Sequence, residues 1–484
     1  MGGRNLTLLT DLYELTMMQG YFHNESVNNT VIFDMFYRNN PCGGGYAVMC
    51  GVEQLIDYIE GLSFGEEEIN YLKTLGIFDD EFLSYLADFK FTGDIYAIPE
   101  GTVVFPREPL VKVIAPVMQA QLVETAILNI INHQSLIATK AARVCLAARG
   151  DGVMEFGLRR AQGPDAGTYG ARAAVIGGCI GTSNVLCGQL FDVPVKGTNA
   201  HSWIMSFPDE LSAFRAYADI YPDSCLFVAD TYDTLRSGVP NAIKVFNELK
   251  EKGIHPKSYG IRLDSGDLAY ISKKARKMLD EAGFTDAVIS ASNDLDEYLI
   301  DSLKEQGAAI TSWGVGTSLI TARDNPAFGG VYKLAAVKGK DGTFEPRIKL
   351  SENSEKVTNP GNKKIIRIYD KAQHKIKADL ICLEEESFSS GEDMVIFDPG
   401  EPWKKTRLIA GEYELRELMI PVFKEGKRCY TSPATMEIRD YCAGELDTLW
   451  EETRRLVNPH EMYVDLSKKL YDTKRALLEE MSVV

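Results

Sequence analysis

Apolar and polar positions change rhythm twice along the chain. From residue 1 to about 135 the pattern is mixed: helix-like spacing around Asp11 to Tyr21, then a strand-like run from Val31 to Tyr37. Amphipathic helical spacing follows between Gly51 and Phe89, and Pro99, Pro106, Pro109 and Pro116 then favour short strands and turns. Between about 150 and 335 a short apolar run repeatedly ends in a Gly/Ser/Asp-rich loop, often followed by a helix. The instances are Val153 to Gly157, Val193 to Ala200, Leu226 to Asp230, Tyr259 to Asp267, Val288 to Asp294 and Ile310 to Thr317. Leu268, Ile271, Ala275, Met278 and Leu279 share one helical face before Gly283, as do Leu295, Leu299 and Leu303 before Gly307. After Lys338 the texture turns to charged, hairpin-like strands (Arg347 to Leu350, Lys364 to Tyr369). It closes on helical spacing from Gly444 to Met481.

Strand, loop and helix in repetition predict an α/β fold with parallel strands. The spacing of the repeats favours a closed or nearly closed β/α barrel, although an open sheet has the same sequence pattern. The rhythm divides the chain into a mixed α+β segment (1–135), a β/α barrel segment (136–340) and a strand-rich, then helical segment (341–484). In a barrel the loops leaving the strand ends gather on one face, where chemistry sits.

At 484 residues, with 45% apolar and 25% charged positions, the chain can bury several packed units. Its net charge of −17 disfavours a nucleic-acid partner, so an anionic ligand must be met by local Arg, Lys and backbone NH groups. Nine cysteines without a C-x-x-C pair indicate neither a zinc knuckle nor a disulfide framework and fit reduced cytoplasmic thiols. Asp11 and Glu14 interrupt the early apolar stretch, and Glu124 and Asn129 interrupt the run from Leu122 to Ile131. A signal peptide and a membrane span are therefore not expected.

Phe156 followed by Arg159 offers a stacking face and an anion fork, or else a core ring beside a surface cation. His201, among Gly197, Thr198 and Ser202, reads as a nucleophile open to phosphate or as an incidental residue of a helix start. The loops Ala229 to Asp233 and Ile261 to Asp267 end in carboxylates that suit a sugar hydroxyl or an imidazole, or serve only as helix caps. Arg262, inside a strand-like run, points to a carboxylate or phosphate nearby. Ser292, Asn293, Gly314, Gly316 and Thr317 place small residues where bare amides approach an oxyanion.

Taken in order, Thr10 to Met17, Phe36 to Pro41, Phe156 to Arg160, Gly197 to Ser202, Arg262 to Asp267, Gly314 to Ser318 and Gly329 to Leu334 closely resemble the nicotinate phosphoribosyltransferase family. The resemblance implies an irregular β/α barrel of the type II phosphoribosyltransferase kind, with an α+β domain built from the N- and C-terminal segments. It implies transfer of phosphoribosyl from phosphoribosyl pyrophosphate (PRPP) to nicotinate, coupled to ATP, with Mg2+ expected and no metal-ligating residue assigned. It further implies a cytoplasmic homodimer in which His201 is transiently phosphorylated and Asp230 orients it. The pyridine ring would stack on Phe156 and on a Tyr13 from across the dimer, and Arg262 with Thr198 would take the ring carboxylate. Asp264, Ser292 and Asn293 would hold the ribose. Gly314, Gly316 and Thr317 would receive the 5′-phosphate, and Arg38 and Arg159 would add positive charge. The sister enzyme that uses nicotinamide keeps an aspartate where this chain has Ser183. A hydroxyl donates to a substrate carboxylate that an aspartate would repel, which favours the acid over the amide. A non-catalytic nucleotide-sensing relative and a quinolinate-using enzyme are the remaining alternatives.

Overall fold

The computed structural model describes residues 4–24, 29–351 and 356–481. The chain forms two compact units. The first comprises Met1–Leu136, Ala327–Pro433 and Tyr441–Val484; the second, Ile137–Pro326 and Ala434–Asp440.

The first unit is built on two largely antiparallel sheets. One has seven strands, in the order Phe344–Pro346, Gly330–Lys338, Thr30–Tyr37, Val111–Pro116, Asp94–Ala97, Ile420–Lys424 and Lys427–Arg428. Thr30–Tyr37 is buried at most positions on both faces and is flanked antiparallel on both sides, which accounts for its near-continuous apolar run. The other sheet has six strands, centred on the antiparallel pair Lys363–Asp370 and Ile376–Leu383. Ile366, Ile368, Leu380, Ile396 and Tyr413 form the core beneath that pair. The C-terminal stretch, expected to be helical throughout, contains the helices Thr435–Asp447, Glu451–Arg454 and Lys468–Met481. Between the last two lies a short strand, Val464–Leu466, which runs parallel to Ile376–Leu383. Three residues are too few to show a two-residue period in the sequence, and the pairing is made by a segment more than 80 positions away.

The second unit carries the strand-loop-helix repeat as an arc of parallel strands. Ser224–Val228, Ser258–Leu263, Val288–Ala291 and Ser312–Val315 pair in chain order, and Ser312–Val315 then pairs with the first strand, Gly152–Glu155. Beyond that strand the arc continues through two single parallel bridges, Glu155 to Thr182 and Thr182 to Val195. A last strand pairing with the first bends the sheet into a half-barrel rather than an open, doubly wound sheet. The run Val193 to Ala200 shrinks to one bridge because Pro194 has no NH to give; only its carbonyl is used, accepting from the Thr182 amide. Helices Val239–Glu251, Leu268–Glu281 and Glu297–Glu305 return the chain between strands. Phe227 stacks between Phe214 and Phe246, with ring centroids 4.5 and 5.4 Å away, fastening that side of the arc.

Candidate active site

The strands of the second unit end around one cavity of about 460 Å³, lined by Phe156, Ser183, Thr198, His201, Arg262, Asp264, Ser292, Asn293, Gly314, Gly316 and Thr317. Arg159 and Arg160 stand at its rim, and Asn199 and Asp294 also face it. Residues from six loops, spread over about 160 positions of sequence, are thus brought together. Tyr13 is half exposed on the helix Leu12–Phe22, and Arg38 follows the strand Thr30–Tyr37. Both belong to the first unit, and neither lines this cavity.

Each wall has a local cause. The Phe156 amide donates to the Val315 carbonyl at 2.8 Å, which holds its ring over Gly314. A Cβ on Gly314 would lie 2.6 Å from that ring, so glycine is required there for the aromatic to come this close to the strand. Beneath the same turn the buried Glu155 carboxylate accepts from the Gly157 amide and, at 2.6 Å, from the Thr182 hydroxyl. Its backbone carbonyl takes the Ser183 amide at 3.0 Å. Glu155 therefore ties the Phe156 turn to the Ser183 turn, and burial pushes its carboxyl pKa up.

The acidic residues sort into two kinds. Asp267 and Asp233 are helix caps, accepting from Tyr270 and from Leu235 and Arg236 respectively. Asp230 and Asp264 cap nothing. Asp230 Oδ2 accepts from the Asp264 amide at 2.8 Å and the Ser265 hydroxyl at 2.7 Å, while Asp264 accepts from the Ser292 hydroxyl. His201 opens the helix His201–Met205, and its Nδ1 lies 3.1 Å from the Thr231 hydroxyl. Its Nε2 is 3.5 Å from Asp264 and 3.9 Å from Asp230. The contact within hydrogen-bond reach of the ring is thus Thr231. Asp230, whose side chain is 2 % exposed, instead holds the turn that carries Asp264. Thr231 and Glu155 were not singled out in the sequence: a threonine beside an aspartate and a glutamate inside a strand carry no distinguishing pattern.

Arg262 gives one amino group to the Thr198 hydroxyl and, at 3.2 Å, to the Asn199 carbonyl, with Asp264 3.8 Å from its other amino group. Burial depresses its pKa, and Asp264 and Asp230 only partly offset that loss. Arg262 Nε, Asp230 Oδ1 and both amide atoms of Asn199 are buried without a hydrogen-bond partner among the described residues. Orphaned polar atoms are costly and rare, and four of them on one group of loops mark a place shaped for a polar ligand. The arrangement offers a flat stacking face, a guanidinium beside a hydroxyl, a hydroxyl-carboxylate pair, a glycine-bordered turn and an imidazole whose Nε2 lies 3.5 Å from the Asp264 carboxylate.

Three family descriptions match the chain: the nicotinate phosphoribosyltransferase N-terminal domain over residues 8–132, the nicotinate phosphoribosyltransferase family over 152–377, and its C-terminal domain over 362–474. The chain is 46% identical over 479 residues to a Bacillus subtilis (strain 168) nicotinate phosphoribosyltransferase, covering 99% of this chain and 96% of the relative. A crystal structure of human nicotinic acid phosphoribosyltransferase superposes with a TM-score of 0.84 at 30% identity, covering 97% of this chain and 99% of the other. A Pyrococcus furiosus nicotinate-nucleotide pyrophosphorylase, at 22% identity and a TM-score of 0.69 over 92% of this chain and 96% of its own, shares the fold.

Proposed function

The chain belongs to the nicotinate phosphoribosyltransferase family, and from that premise we propose how its own residues carry the reaction and its coupling to ATP. It is an enzyme that moves the phosphoribosyl group of PRPP onto nicotinate. The observation that carries the reading is the convergence of Phe156, Arg262, His201 and Gly316 on one cavity. The pyridine ring lies on Phe156, and its carboxylate is met by Arg262 and Thr198, with the Ser183 hydroxyl as a further donor. Asp264 and Ser292 take the ribose hydroxyls beside Asn293, and the turn from Gly314 through Gly316 to Thr317 takes the 5′-phosphate. Arg159 faces the pyrophosphate.

The ring nitrogen's lone pair forms the bond to the anomeric carbon as the bond from that carbon to pyrophosphate breaks. The electron pair leaves on pyrophosphate, and the pyridine nitrogen ends cationic with no proton transferred. Chemistry of this kind gains most from placement and from charges fixed in advance. Magnesium travels on the phosphate oxygens of PRPP and ATP as part of those substrates. Among the described residues no group of three or more His, Cys, Asp and Glu is arranged to hold it.

For the coupling, an Nδ1–H donated to Thr231 leaves the His201 Nε2 lone pair free to attack the γ-phosphorus of ATP. ADP departs, and water later cleaves the N–P bond to release phosphate. The proposal includes a cytoplasmic homodimer in which a second copy supplies Tyr13. No helix among the described residues is long and apolar enough to cross a membrane.

The test is an assay of the purified chain with PRPP and magnesium, offered nicotinate, nicotinamide or quinolinate, with and without ATP. Nicotinate mononucleotide should be the main product, and ATP should stimulate its formation; preference for either other acceptor would overturn the reading. His201→Ala should abolish ATP stimulation and leave slow, ATP-independent transfer, whereas unchanged coupling would remove His201 from its role.

A further inference from the structure

A second cavity, of about 320 Å³, is lined wholly by residues of the first unit. Lys363, Arg107 and Lys474 bring three cations to it from three distant parts of the chain. Lys363, on its strand, is buried and paired with Asp34 at 2.7 Å, and it also donates to the Gly361 carbonyl. Lys474, on the helix Lys468–Met481, donates to the neutral side chain of Asn359 at 2.8 Å. Among the described residues neither Lys474 nor Arg107 forms an ion pair. With Asp34 matched by Lys363, the cavity keeps two cations without a paired carboxylate among the described residues, the partly buried Lys474 and the exposed Arg107.

Two further observations agree. Arg107 sits at φ +74°, in the left-handed region that favours glycine, within a turn bounded by Pro106 and Pro109. A long charged side chain kept on such a backbone points to a use for the charge. Burial, with Arg107 and Lys363 adding repulsion, pulls the Lys474 ammonium down to about 8. The same space is also lined by apolar side chains, Phe36, Val464 and Leu478, the last one helical turn from Lys474. Few convergent charges beside apolar side chains describe a small-molecule site.

We propose that this cavity binds a phosphate dianion carried on a small ester with a flat, apolar body, the phosphate resting between Arg107 and Lys474 and the body against Phe36 and Leu478. The site does not depend on the reading of the barrel cavity, since it shares no residue with it.

The test is calorimetric titration of the full chain at low ionic strength with adenosine monophosphate, ribose 5-phosphate and inorganic phosphate, comparing the wild type with Lys474→Met and Asn359→Asp. Asn359→Asp keeps the packing and gives Lys474 an internal counter-ion, so it remains informative if Lys474→Met fails to fold. In the wild type the monophosphate should bind more tightly than inorganic phosphate, and one class of sites should be weakened at least about tenfold in each variant. Removing or pairing the unmatched cation should also leave the phosphate-free melting temperature unchanged or higher, which a merely structural lysine would not do. Wild-type stoichiometry and affinity in both variants would overturn the site, and equal affinity for inorganic phosphate and the monophosphate would overturn the ester.

Discussion

Two arginines, one in each unit, show how the same side chain serves opposite ends. Arg367, on the strand Lys363–Asp370, is fully enclosed and fully answered. Its Nε and one amino group grip Asp379, the other amino group reaches Glu445 at 3.1 Å, and the Val103 carbonyl accepts at 2.7 Å. Those partners outweigh burial and raise its pKa. Arg262 is partly buried at a strand end, its Nε without a partner among the described residues and its nearest carboxylate 3.8 Å away, and there the loss of solvent wins and its pKa falls. A saturated guanidinium has nothing left to offer a ligand and holds three strands and a helix together. An unsaturated one carries a desolvation cost that an incoming carboxylate can repay.

Replacing each arginine by methionine tests that contrast most strongly. Arg367→Met leaves Asp379 buried without its main counter-charge, while Glu445 keeps Arg416, and should cost about 3–5 kcal/mol, read as a large fall in the denaturant midpoint. Arg262→Met should barely move the midpoint and should lower kcat/KM for nicotinate by on the order of a hundredfold, the loss of about 3 kcal/mol of charged hydrogen bonding. If the two variants lost stability equally, the distinction between a structural and a ligand-facing arginine would be void.

A smaller effect separates the roles of Asp230 and Thr231. Thr231→Val removes the hydroxyl within reach of His201 Nδ1 while preserving shape, and should reduce ATP stimulation about tenfold with the midpoint within about 1 kcal/mol of wild type. The KM for nicotinate should hold, because Arg262 and Phe156 are untouched. A changed KM with intact coupling would show that Thr231 serves the acceptor rather than the imidazole.

The arc of strands was legible because its signal is repeated: an apolar run, a small-residue loop and a helix recur often enough that one irregular member does not hide the rest. The irregular member, Val193 to Ala200, is the one whose proline prevents a ladder. The cavity-lining residues were legible where their type is unusual for the position, as with Arg262 in a strand and His201 in a glycine-rich loop. Pairings between loops were not. Whether an aspartate caps its own helix, as Asp267 does, or holds a neighbouring turn 34 positions away, as Asp230 does, depends on geometry that no local pattern encodes. The same holds for the cavity of the first unit, whose cations at 107, 363 and 474 are neighbours only after two sheets have formed.

The finest test concerns acceptor choice at the rim of the Arg262 pocket. Ser183 lies on the turn tied down by Glu155 and faces the cavity, so a side chain added there changes the field without disturbing the strand beneath. An aspartate at 183 brings a negative charge toward the place proposed for the nicotinate carboxylate. At separations of a few ångströms and partial solvent screening, the repulsion amounts to about 1–2 kcal/mol, while an amide group loses nothing and gains an acceptor for its NH2. Ser183→Asp should therefore shift the ratio of kcat/KM for nicotinate over nicotinamide by roughly tenfold toward the amide, chiefly through KM for the acid, with PRPP kinetics unchanged. An unaltered ratio would leave Arg262 and Thr198 as the selective contacts and reduce Ser183 to part of the wall.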